Sequence, residues 1–395
     1  METAQRIKAI PPYVFVELDK KTQAVSAQGI DVINLGRGDP DEPTPPHIVE
    51  AMIQAVKDPA NHHYPPYGGT KEYKQAIADW MDRRYKIKVD PTSEVLSLIG
   101  GKEGLHHTIM SFVDPGDYNL IPDLAYPVYN TSTILAGGTP YFLPLKPENN
   151  FLPVLEDIPA AVLAKSKLLM LNYPHNPTAA VADLGFFEKV VHFAKKHNLL
   201  FCHDLAYPDM TFDGYRAPSV LEIPGAKDVT IELHTLSKTF NMTGWRIGFA
   251  VGNAQAVKVL GLIKSNVDTD VFKAIQVAGI AALRGPLDHI DHCNKLYVER
   301  RDVVIKALNE LGWQIKPSQA TFYLWLRVPS GFTSWEFSYF LLEKTGVLMT
   351  PGPAYGPGGE GFVRLSLCLP KERLQEAMNR LKEHKITFDL VKTKV

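Results

Sequence analysis

His234-Thr235-Leu236-Ser237-Lys238-Thr239-Phe240-Asn241-Met242-Thr243-Gly244-Trp245-Arg246-Ile247-Gly248 separates two short apolar runs, Val229 to Leu233 before it and Ile247 to Val251 after it. Runs of this length bounded by polar or Gly-rich turns read as buried strands. Four more precede them: Val95 to Ile99, Tyr118 to Ile121, Leu168 to Leu171 and Leu199 to Cys202. From about residue 70 to 285 they alternate with longer amphipathic stretches, which predicts an α/β fold with a mainly parallel sheet flanked by helices. Ligands in such sheets sit outside the carboxyl ends of the strands, so chemistry is sought just after each run.

The opening stretch follows such an end. Its amine, Lys238, can form a Schiff base with an aldehyde, Thr235 and Ser237 can donate to phosphate oxygens, and Arg246 can grip a phosphate by bidentate hydrogen bonds. Those are the needs of pyridoxal 5'-phosphate, although a Lys after a Ser is by itself an ordinary loop residue. Asp204, past the run ending at Cys202, could keep a pyridinium nitrogen protonated; as a helix N-cap it would need no ligand at all. Tyr207, three residues on, can hydrogen-bond a ring oxygen. The rigid turn Asn172-Tyr173-Pro174-His175-Asn176-Pro177-Thr178 can aim the Asn176 amide at a ligand. Tyr126 offers a flat face to a heteroaromatic ring, where an aromatic is otherwise core. Gly100-Gly101-Lys102-Glu103-Gly104 leads into an apolar helix whose first N–H groups favour an anion, but it lacks the spacing of a nucleotide P-loop.

The rest of the chain sets bounds. Its 395 residues allow two domains: an arm with part of a small domain over 1–45, a large domain over 46–286 and a small C-terminal α/β domain over 287–395. The last contains a long helical stretch from about Leu287 to Leu311 and an apolar strand Thr321 to Leu326. Pro11-Pro12 and the Pro-rich 40–46 predict an extended arm. A formal net charge of -1 with scattered basic residues argues against nucleic-acid binding. No apolar run reaches membrane-span length and the first residues do not read as a signal peptide, so the chain is expected to be cytoplasmic. Three widely spaced cysteines suit neither a disulfide framework nor a zinc site. The pairs His62-His63 and His106-His107 are read as lacking a Cys or carboxylate at ligand spacing, so no metal is expected.

Taken together, the Ser-Lys segment with Arg246, the Asp204/Tyr207 pair, the Asn176-Pro177 turn and Tyr64-Pro65-Pro66-Tyr67-Gly68-Gly69 resemble a class I/II aminotransferase of pyridoxal-phosphate fold type I over about residues 10 to 385. Thr235 departs from the family's usual Ser or Gly but keeps the hydroxyl. The resemblance implies that Lys238 is the Schiff-base lysine and general acid/base. Backbone N–H groups of Gly101, Lys102 and Glu103, with Thr235, Ser237 and Arg246, would hold the phosphate. Tyr126 would stack on the ring, Asn176 and Tyr207 hold its oxygen, and Asp204 its nitrogen. Tyr64 would reach the neighbouring subunit's phosphate, implying a homodimer with shared sites. Arg364 would clamp the substrate α-carboxylate, assisted by Gly38 and Asn176, and Tyr13 and Phe15, with residues around 266 to 272, would line the side-chain pocket from either subunit. The implied reaction is ping-pong exchange of an amino group between an amino acid and a 2-oxo acid.

Within the family, Leu35 to Pro45, Asn172 to Ala180 and Ser265 to Phe272 resemble bacterial-type LL-diaminopimelate aminotransferases of lysine biosynthesis, which use 2-oxoglutarate and glutamate as the second pair. His203-Asp204-Leu205-Ala206-Tyr207 is closer to the alanine-type group, and aspartate and methionine enzymes share many of these strings. A pyridoxal-phosphate C–S β-lyase could share every cofactor residue. A binding or regulatory role is disfavoured, because no helix-turn-helix extension accompanies the domain.

Overall fold

The computed structural model describes residues 1–392. Its centre is a seven-stranded sheet. From one edge the strands are Val95–Leu98, Gly248–Gly252, Thr230–Thr235, Leu200–Leu205, Ser166–Asn172, Tyr118–Pro122 and Thr139–Leu143. Five neighbouring strands, from Thr230–Thr235 to Thr139–Leu143, are parallel. Gly248–Gly252 runs antiparallel to both its neighbours, so the opening stretch folds back on itself and pairs Thr235 with Gly248. The sheet is therefore mainly parallel, as its apolar runs predict, with a seventh strand at 139–143 that those runs did not include. Thr139-Pro140-Tyr141-Phe142-Leu143 is at the edge and only half-buried, so it carries no continuous apolar signal. In the middle, Leu168 to Leu171 are fully enclosed, each side chain worth about 1.5–3 kcal/mol on burial.

A second core gathers residues from 293 onward, with Ile33, Leu35, Tyr207, Met210 and Phe212, around the antiparallel strands Thr350–Pro351, Phe362–Ser366 and Tyr323–Arg327 and the helices Asp288–Glu310 and Lys371–Glu383. Thr321, expected to begin a strand, instead has φ +63°, and the strand starts at Tyr323.

The N-terminal stretch corrects the expectation of an extended arm. Val14–Ser26 is a helix, and its Leu18 and Val25 pack with Leu342 and Leu348 of the C-terminal part. The prolines are confined to its approaches, and Pro46 stands at the first turn of Pro46–Lys57, where its missing N–H costs nothing. Ile33–Asn34 pairs in parallel with Val347–Leu348, tying this stretch to the C-terminal core. Gly36 to Thr44 then crosses toward the large sheet, where the Thr44 hydroxyl donates to the Asn241 carbonyl at 2.7 Å.

Candidate active site

The carboxyl ends of the parallel strands and the crossing segment enclose a cavity of about 440 Å³, lined by residues from both cores. Among its walls are Gly101, Lys102, Tyr126, Asn176, Asp204, Tyr207, Thr235, Ser237, Lys238, Arg246, Gly38, Tyr13, Phe15 and Arg364, which lie up to hundreds of residues apart in sequence.

Lys238 lies in the short helix Leu236–Thr239, whose N-cap is Thr235. Its Nζ donates to the Gly38 carbonyl at 2.6 Å and lies 5.5 Å from the centre of the Phe322 ring. Burial brings this amine down to about 8, with the Arg364 and Arg246 cations adding to the effect and Cys368 and Asp39 opposing it. Amine-acylating reagents should therefore label Lys238 of the cofactor-free protein with a pH midpoint near 8. A midpoint above about 10, that of an ordinary lysine, would contradict this environment.

The phosphate end is built on backbone geometry. Gly100 has φ +75°, and a Cβ there would meet the Arg246 guanidinium at 2.5 Å, so only glycine admits that approach. Thr235 Oγ1 accepts from the Ser237 backbone N–H and donates to the Ser237 hydroxyl, which orients both hydroxyls beside the first turn of Gly101–Phe112. The Lys102 side chain reaches across the cavity, 5.3 Å from the centre of the Tyr13 ring and 5.7 Å from that of Tyr126.

Glu103, expected at the phosphate through its backbone N–H, stands in the first turn of Gly101–Phe112, and its side chain does not line the cavity. Its carboxylate accepts from the Ile99 N–H and from Lys264 Nζ at 3.1 Å and contacts His107, while Lys264 also pairs with Asp268. The reading of His106-His107 as free of carboxylates is thus incorrect, since Glu103 stands four residues before His107. The cation this cluster holds is the buried Lys264 ammonium itself. Tyr64 also lies off the cavity, 85% exposed, and residues 266–272 are absent from its lining in this single chain.

Asp204 lies inside the strand Leu200–Leu205, which rules out the N-cap reading. Tyr129 donates to its Oδ2 at 2.9 Å, and among the described residues Oδ1 has no hydrogen-bond partner. Burial pushes the carboxyl up to about 6, opposed by the Tyr129 hydrogen bond. In the cofactor-free protein this group binds its proton more tightly than the unfolded chain does. Its stability contribution is full below pH 3.8 and is lost as pH rises through about 6. Asp204→Asn should flatten that stretch of the stability curve; an unchanged slope would count against the assignment. Once the enzyme is loaded, the same variant should lose about 100-fold or more in kcat, as for a removed electrostatic stabiliser.

Arg364 is buried, yet among the described residues it has no carboxylate partner. Nη1 donates to Asn176 Oδ1 and Nη2 to the Gly36 carbonyl, both at 2.7 Å, and Nε has no partner. The rings of Tyr323 and Tyr355 lie 4.0 and 4.7 Å from the guanidinium carbon. Asn176 is aimed by its neighbour Asn172, whose Oδ1 accepts the Asn176 N–H at 2.9 Å and whose Nδ2 donates to the Asp204 carbonyl at 2.7 Å. Both prolines of that turn follow cis peptide bonds.

Three wall residues, Asn172, Tyr323 and Tyr355, and Tyr129 behind Asp204, are absent from the site expected from the sequence. Tyr129 had a signal: it stands three residues after Tyr126, and a buried phenol requires a partner. Tyr323 belongs to the second core and Tyr355 ends the short helical turn Gly352–Tyr355, and no local motif marks either.

The donor set fits pyridoxal 5'-phosphate. A glycine-built anion cradle with two hydroxyls and an arginine, a carboxylate oxygen without a partner among the described residues, an aromatic face and an amine of lowered basicity converge on one cavity. The family model for aminotransferase class I and II matches residues 30–381, and the chain belongs to this family. It is therefore a pyridoxal-phosphate-dependent transferase. LL-diaminopimelate aminotransferase 2 of Trichormus variabilis is 52% identical over 389 residues, covering 98% of this chain and 100% of the relative. The LL-diaminopimelate aminotransferase of Aquifex aeolicus is 50% identical over 385 residues, again covering 98% and 100%. Among solved structures, that of apo-BacF from Bacillus subtilis superposes with a TM-score of 0.95 at 40% identity, covering 98% and 99% of the two chains.

Proposed function

We propose that this chain exchanges the amino group of LL-diaminopimelate with 2-oxoglutarate, working in lysine biosynthesis as a homodimer. The observation that carries the aminotransferase chemistry is the buried Arg364, unpaired with any carboxylate among the described residues and facing the same cavity as Lys238. A guanidinium in that setting calls for an anionic ligand, and an α-carboxylate satisfies it bidentately. The choice of amino acid is supported by full-length relatives of about 50% identity that bear the LL-diaminopimelate name. Lys102 adds a second cation for a substrate with a carboxylate at each end.

When bound, the cofactor supplies an electron sink for the pair left when the substrate Cα–H bond breaks. The protein supplies the rest. Arg364, with Asn176 and the backbone at Gly38, fixes the α-carboxylate and so the orientation of the α-hydrogen. Lys238, its basicity already lowered, would take that proton and return it two atoms further along, beyond the amino nitrogen. Asp204, oriented by Tyr129, holds the proton on the ring nitrogen, while Tyr207 and the Asn176 amide donate toward the ring oxygen. Tyr126 covers the ring face, and Gly101, Lys102, Thr235, Ser237 and Arg246 anchor the phosphate.

The exposed Tyr64, Tyr67, Leu262, Val267 and Phe272 support a second copy of the chain as partner. In that dimer Tyr64 reaches the other subunit's phosphate.

The test of the substrate is a half-reaction screen. The holoenzyme is mixed separately with LL-diaminopimelate, glutamate, alanine, methionine and aspartate, and conversion of the cofactor's aldehyde form to its amine form is followed by absorbance. LL-diaminopimelate and glutamate should convert it efficiently. Conversion by alanine or aspartate with none by LL-diaminopimelate would overturn the substrate reading.

A further inference from the structure

Tyr323 lies where three parts of the cavity meet. Its strand pairs antiparallel with Phe362–Ser366, which carries Arg364, so both side chains are delivered by one small sheet. The Tyr323 ring lies 4.0 Å from the Arg364 guanidinium, closer than any other ring to a cation among the described residues. Its hydroxyl is 3.2 Å from that of Tyr207. A Cβ at Gly38 would come within 2.0 Å of the same hydroxyl, so the glycine leaves room for the phenol against the crossing segment. Phe322 and Tyr207 pack edge-on against the ring at 4.7 and 5.8 Å and confine it from other sides.

We infer that Tyr323 is a two-ended positioning residue: its ring holds the Arg364 guanidinium in place for the substrate carboxylate, and its hydroxyl fixes the direction in which Tyr207 donates. Either hydroxyl can donate within the pair. If the Tyr207 proton is to point at the cofactor's ring oxygen, Tyr323 must be the donor and Tyr207 the acceptor between them. A donor chain of this kind polarises its members and strengthens the terminal hydrogen bond. The same residue thereby links the carboxylate clamp to the cofactor. The inference deepens the proposed function and rests on its assignments of Arg364 and Tyr207.

The two ends are separable by substitution. Tyr323→Phe removes the hydroxyl and keeps the ring; Tyr323→Met removes both while filling much of the volume. Holoenzymes of both variants, with Arg364→Ala and Tyr207→Phe alongside, are assayed with LL-diaminopimelate and with glutamate. The pH midpoint of the bound cofactor's visible absorption is titrated without substrate, and melting curves establish that each variant is folded.

Tyr323→Phe should lower kcat about 10-fold, leave KM within about 2-fold and move the absorption midpoint by about half a pH unit, the scale of one lost hydrogen bond. Tyr323→Met should show the same two effects and in addition raise KM about 10-fold, the scale of a desolvated cation–π contact. If Tyr323→Met does not fold, the Phe variant alone decides the hydroxyl end. Wild-type kcat and midpoint in Tyr323→Phe, or a Met variant whose KM matches that of the Phe variant, would overturn the inference while Arg364→Ala and Tyr207→Phe remain defective. Should Arg364→Ala keep its KM and Tyr207→Phe its midpoint, the assignments beneath fail and the inference fails with them.

Discussion

Lys238→Ala should lower kcat at least about 10³-fold while the folded protein still binds pyridoxal 5'-phosphate and amino acid. The expectation follows from the division of labour in the cavity. The phosphate anchors, the Asp204 carboxylate and the Tyr126 ring do not depend on the lysine, so the cofactor keeps its seat. What disappears is, among the described residues, the only amine in the cavity that donates to the crossing segment, through the Gly38 carbonyl, and whose basicity burial and the Arg364 and Arg246 cations lower. Lys102, the other lysine in the cavity wall, extends toward Tyr13 and Tyr126 and offers no substitute. Added small primary amines should restore part of the rate, since the missing function is proton transfer by a base. Turnover within about 10-fold of the parent protein would remove Lys238 from its role.

The second large effect belongs to Arg364. Arg364→Ala should cost about 3 kcal/mol in kcat/KM, roughly 150-fold, because it strips a buried site of the cation that pairs with the substrate carboxylate. Arg364→Lys should recover only part of the loss. An ammonium keeps the charge but not the planar fork that presently divides its donors between Asn176 and Gly36. Equal losses for the amino acid and for its simple amine analogue lacking the carboxylate would show that Arg364 acts on something other than that group.

The contrast between these two residues explains how far the sequence could be read. Lys238 sits in a contiguous segment whose hydroxyls and arginine announce a phosphate within a few positions, and Asp204 and Asn176 follow apolar runs that read as strands. Local chemistry and the parallel-sheet rule place all three at one edge. The Glu103 side chain was assigned no role of its own, and its carboxylate folds back to accept the Ile99 N–H, as an acid in the first helical turn can. Tyr129 takes its meaning from Asp204, 75 residues away. Tyr323 and Tyr355 gain theirs only when the second core closes over the first, a long-range event that no short spacing encodes. The N-terminal helix was hidden for another reason. The prolines flanking Val14–Ser26 dominate the composition of the arm, although only their immediate neighbours are constrained.

The central claim is that one cavity presents one amine to the cofactor, and borohydride tests it most directly. Reduction of the loaded, substrate-free protein followed by proteolysis and mass spectrometry should place a single pyridoxyl adduct on Lys238 and bleach the visible band. An adduct on Lys102 or another lysine, or no visible band and no adduct at all, would contradict the account.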